Sequence, residues 1–73
     1  MVKYPEIGKQ YDHYKGGSYE VITLAKHSET DEVLVIYKSL HFGSVHARPL
    51  PMWFEKVTTD EQRRVSRFTL CGV

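Results

Sequence analysis

The chain has one cysteine, Cys71, in 73 residues. A single thiol closes no intrachain disulfide and furnishes no cysteine-rich zinc site, and on this count the natural compartment is a reducing cytosol. Its place near the end also suits it poorly to nucleophilic work, which needs rigidly held geometry. Long apolar runs are missing too. Nothing approaches the roughly 20 residues of a membrane span, and the opening MVKYPEIGK lacks the apolar core of a signal peptide, so no membrane partner is expected. Charge of one sign is scarce: the net charge is +1. Nucleic-acid affinity comes largely from neutralised phosphates, and this balance supplies no large field for it. Arg63, Arg64 and Arg67 form the densest basic run, which reads as a solvated face. There is no internal repeat, low-complexity stretch or linker. No window of about 12 residues carries the 3.6-residue period of an amphipathic helix, which argues against a sheet backed by a helical layer.

What is present is a small folded unit. The hydrophobic share of 41% and charged share of 26% are ordinary for a soluble globule. One domain spans residues 1–73, with an irregular lead-in at 1–8 and a tail at 71–73. KQYDHY (9–14) alternates as a first strand. KGGS (15–18) punctuates, with Gly16-Gly17 suited to the centre of a tight hairpin turn because glycine accepts positive φ. YEVITLAK (19–26) is β-branched and aromatic, and fits a pleated surface. HSETDE (27–32) is a polar turn. VLVIYKSL (33–40) is apolar at every position from Val33 to Tyr37 and predicts an inner strand with both faces largely covered. HFGS (41–44) is a loop. VHARPL is extended, since each residue before a proline is pushed out of the helical region. PMWF (51–54) predicts one 3₁₀ turn with Pro51 at its start. EKV is extended; TTDEQRR suits a short capped helical turn or, better, a strand-to-strand turn; VSRFTL (65–70) alternates as a last strand. About five short antiparallel strands with tight turns predict an all-β chain curled into a small SH3-like barrel, which removes sticky edges. Its core draws on Val21, Ile22, Leu24, Leu34, Val35, Ile36, Val57 and Phe68.

The order of short motifs HYKG, YEV, HSET, a VxY strand, RPL and a Met-aromatic-Phe step resembles the bacterial family called domain of unknown function 1653. The likeness covers roughly residues 8 to 68. It implies an SH3-like small barrel with no established activity or cofactor, so no catalytic residue is carried over. Family members often have a tryptophan where this chain has His46, and Asp-Gly where it has Asp60-Glu61. The second difference supports a hairpin there. The loop after KSL is compact.

Each candidate chemistry competes with a plainer explanation. YKGGSY has neither the glycine spacing nor the following helix of a phosphate loop, and reads as a turn. His41 and His46 flank a glycine loop but lack a cysteine or acid at ligand spacing, so no metal or other cofactor is expected. His13 and His27 are placed to bond turn backbone. Ser28 and Ser44 lie near histidines without an oriented base, which points away from an enzyme. The aromatics with Arg48 are the best lead: five tyrosines and Trp53 are too many for a narrow core, so some rings belong at the surface. Rings beside a planar guanidinium recognise a protein segment or a small anionic ligand. In that groove Tyr14 and Trp53 give flat contact, Arg48 fixes an anion, and Lys15 and His46 line the rim. A barrel binding single-stranded RNA is the alternative, and a metal-dependent enzyme the third.

Overall fold

A computed structural model describes residues 4–71. It is all-β apart from one helical turn: β1 (Gln10–His13), β2 (Ser18–Lys26), β3 (Val33–Ser39), β4 (Val45–Pro49), α1 (Leu50–Trp53), β5 (Lys56–Thr58), β6 (Arg64–Ser66) and β7 (Phe68–Leu70). Five strands form one antiparallel sheet in the order β4-β3-β2-β1-β7, and β5 and β6 pair as a separate hairpin. The large sheet is open in its hydrogen bonding, with β4 and β7 as its edges. Seven strands thus lie among the described residues where about five were expected. Residues 1–3 of the lead-in and 72–73 of the tail lie outside the described residues.

The last strand is two. Arg67 breaks it, and its backbone bonds to the residues flanking both sheets: its N–H donates to the carbonyl of Glu55, just before β5, at 3.1 Å, and its carbonyl accepts from the N–H of Tyr14, just after β1, at 3.0 Å. The helical turn is α rather than 3₁₀ and starts one residue early. Leu50 and Trp53, three residues apart, share its inner face and are buried, while Pro51 and Met52 stay outside.

Val21, Val35 and Phe68 are buried as expected, but Tyr11, Tyr37, Leu50 and Trp53 complete the core. Leu24 packs against it, and Leu34, Ile36 and Val57 are half-buried. Ile22 is 40% exposed. A bulge explains it: Val21 faces Tyr37 and Thr23 faces Ile36, which leaves Ile22 without a cross-strand partner. The extra residue inverts the alternation, so Val21 and Leu24 both point inward although they differ in parity. The buried phenols find partners. The Tyr11 hydroxyl accepts from the Glu6 N–H at 2.9 Å, and the Tyr37 hydroxyl accepts from Arg48 Nε at 3.4 Å. The core therefore holds more rings than its aliphatic residues alone would suggest.

Candidate functional site

Period-two alternation decides which side chains meet. Tyr37 pairs with His46 and Val35 with Arg48 across β3 and β4, and His13 pairs with Phe68 across β1 and β7. Since Val35, Tyr37 and Phe68 are core residues, His46, Arg48 and His13 stand on the core-facing side of the sheet, at its rim. The result is a belt of rings to which all five strands contribute. Phe68 and His13 lie 5.0 Å apart between centroids, His13 and Tyr19 6.3 Å, Tyr19 and Tyr37 5.4 Å, and Tyr37 and His46 5.5 Å. Most of these contacts are edge-to-face, the arrangement that aromatic quadrupoles favour.

The hairpin before β2 supplies the other arm. His13 carbonyl accepts from Gly16 N–H at 2.9 Å, so Tyr14 and Lys15 are the central turn residues, and Gly16 follows at φ 101. The expectation of a Gly16-Gly17 centre is corrected by this shift of two residues: Gly16 is the left-handed residue that lets the turn rejoin the strand. His13 Nδ1 accepts the Lys15 N–H at 3.1 Å, and His27 Nδ1 does the same for Glu29 at 3.2 Å. Both histidines hold turn backbone, as their sequence positions suggested. With Nδ1 an acceptor, the neutral His13 ring carries its proton on Nε2. Tyr14 packs on His13 at 4.8 Å, and Lys15 Nζ lies 5.8 Å from the Tyr14 ring centroid.

Of the five residues expected to bind, the structure links four in two arms: Tyr14 and Lys15 to His13, and His46 and Arg48 to Tyr37. The arms meet at Phe68, 5.7 Å from the Arg48 guanidinium carbon and 5.0 Å from His13. Trp53 departs from expectation. It is 0% exposed and lies beneath the belt, stacked on Phe68 at 3.8 Å with planes 6° apart. Three packed rings around it, Tyr11, Tyr37 and Phe68, leave it a floor and not a contact surface. Three hollows of the surface reach the belt or the turn beside it. One of about 620 Å³ includes Tyr19, one of about 420 Å³ includes Tyr14 and Lys15, and one of about 290 Å³ includes Phe68; Arg48 and His46 line none of them.

The electrostatics are one-sided. Burial pushes the His13 pKa below its usual value, and the nearby positive charges of Arg48, Arg67 and Lys15 push it in the same direction. Arg67 is paired with Glu55 at 2.7 Å. No carboxylate among the described residues comes within ion-pair distance of Arg48 or Lys15. Two buried donors, Trp53 Nε1 and Arg67 Nε, also lack an acceptor among the described residues. The site is rich in donors and poor in acceptors. His46 Nε2 is 2.9 Å from Ser44 Oγ, His41 packs on Phe42, and no group of three or more His, Cys, Asp or Glu among the described residues is placed to hold a metal ion. Sequence reasoning passed over His13, Tyr19, Tyr37 and Arg67 as site residues. The signal that could have found the first three was alternation, which puts His13 on the face of Tyr11, and Tyr19 and Tyr37 on the faces of Val21 and Val35.

The model of a family described as "Protein of unknown function (DUF1653)" matches residues 9–70. A crystal structure of a DUF1653 protein from Bordetella bronchiseptica is 35% identical, with a TM-score of 0.83, over 99% of this chain and 94% of the other. No curated protein matches the chain.

Proposed function

The chain belongs to the DUF1653 family of proteins of unknown function, and we propose that it is a small binding module that holds an anionic group, on a protein segment or a small ligand, at the Arg48 end of its ring belt. One observation carries this reading: Arg48 is half-buried over Phe68, tied through Nε to Tyr37, and faces no carboxylate among the described residues. A planar guanidinium fixed on one edge keeps its remaining N–H groups for a carboxylate or phosphate. His13 offers a further N–H, and Lys15 and Arg67 add positive potential at the same ring. The packing favours an anion over a stacked base. Tyr37 and Phe68 are buried and engage neighbouring rings edge-to-face, whereas single-stranded nucleic acid needs open ring faces.

The test is a titration of isotope-labelled protein with acetate and with inorganic phosphate at low ionic strength, followed by NMR. Shifts should centre on His13, Tyr37 and Arg48. Arg48→Gln should weaken binding tenfold or more, in line with about 1.5–3 kcal/mol for a hydrogen bond to a charged group. Titrations indistinguishable between wild type and variant would remove Arg48 from any site.

A further inference from the structure

The strand that carries Arg48 has a second property. β4 is an edge of the five-stranded sheet, and Val45, His46 and Ala47 are all exposed. In an antiparallel ladder, directly bonded pairs alternate with pairs whose backbone groups turn the other way. Ser39 N–H donates to the Ser44 carbonyl at 2.8 Å, which fixes the phase. Counting along the register, Tyr37–His46 and Val35–Arg48 are bonded pairs, and Val45 and Ala47 turn their N–H and C=O groups to the open side. No backbone bond outside the strand ladders uses the Val45 or Ala47 groups among the described residues. Residues 45–47 carry no lysine and no bulge, and the two guards the strand does have, the inward-facing Arg48 and Pro49, stand at its far end. Pro49, which has no N–H, limits the edge at its far end.

A strand added here would bond to Val45 and Ala47. Its residues opposite His46 and Arg48 would then sit in non-bonded pairs, where side chains stand closest. The charge on that face selects the occupant. Arg48, half-buried and within ion-pair distance of no carboxylate among the described residues, calls for an acid. A second copy of this chain meets that need badly. Two-fold pairing about Ala47 would set Arg48 against His46 twice, with no acid in the ladder. We propose that β4 takes up an extended acidic segment of another protein as an additional strand, with a glutamate or aspartate opposite Arg48. This rests on the anion reading above for its charge and on the open edge for its backbone.

The experiment uses the full chain and a blocked pentapeptide, acetyl-Val-Thr-Glu-Thr-Val-amide. Two analogues are N-methylated at alternate residues, one in each phase, and a third carries glutamine for glutamate. The parent peptide should protect the Val45 and Ala47 amide protons from exchange. One methylation phase should weaken binding tenfold or more and the other should not, and the glutamine analogue should also bind more weakly. Equal binding of both methylated peptides, or unprotected Val45 and Ala47 amides, overturns strand addition. If acetate still titrates Arg48 in that case, the anion site stands alone; if neither acetate nor peptide acts there, both readings fall. Protection that survives Arg48→Gln undiminished refutes the acidic partner.

Discussion

At the scale of single residues, environment reassigns several side chains. Trp53 has the composition of a contact residue and the position of a keystone, stacked on Phe68 and enclosed by Tyr11 and Tyr37. Trp53→Ala should cost about 3–5 kcal/mol, read from urea unfolding followed by circular dichroism. His13 links packing to pH. Its folded-state pKa is lowered from 6.5, so the unfolded chain takes up the proton first as pH falls. The His13 contribution to stability is therefore complete above about pH 6.5 and is lost progressively as pH drops from there toward the depressed value. His13→Asn, which keeps an acceptor near the Lys15 N–H, should flatten that part of the pH–stability curve. An anion bound beside Arg48 should raise the His13 pKa, visible by NMR titration of the ring. A ring whose pKa stays put with bound anion would separate His13 from the site.

At the scale of elements, turns and strand existence were legible in the sequence, and inward orientation was legible only in part. The apolar run at residues 33–36 does make an inner strand, paired with β2 on one side and β4 on the other. Ile22 was misplaced because a bulge is a property of two strands in register, and one strand read alone does not reveal it. Tyr37 and Arg48 could not be joined from sequence for the same reason: 11 residues separate them, and only the β3–β4 register makes them neighbours. Ile22→Thr should accordingly change stability by less than about 1 kcal/mol, well below the effect of Val21→Thr, in parallel denaturant titrations. The two three-residue hairpin loops make a matched pair. Gly16 has φ 101 and its counterpart Gln62 has φ 61. Gln62→Gly relieves a left-handed residue that bears a Cβ and should stabilise by up to about 1 kcal/mol, whereas Gly16→Ala should destabilise by about 1–2 kcal/mol through backbone conformation alone, since a Cβ there meets nothing within 4 Å.

At the scale of the whole molecule, an all-β chain was apparent from short strands and polar turns, but the division into two sheets was not. It turns on Arg67, whose backbone bonds to Glu55, just before β5, and to Tyr14, just after β1; a side-chain pattern carries no mark of such a joint. The β5–β6 hairpin pairs only with itself, while β1, β2 and β3 are each paired on both sides, β2 and β3 being the longest. Hydrogen exchange should therefore be slowest in β2 and β3 and fastest in β5 and β6; uniform protection across both sheets would show that the hairpin does not open separately. The ring belt draws one member from every strand of the large sheet, and this has a consequence for the life of the protein. A chain with four strands docked and one astray has a broken belt and would lack the proposed anion site. Occupancy of the proposed site would thus report completed assembly, and an abundant occupant would lengthen survival against proteolysis by drawing molecules out of their partly opened forms.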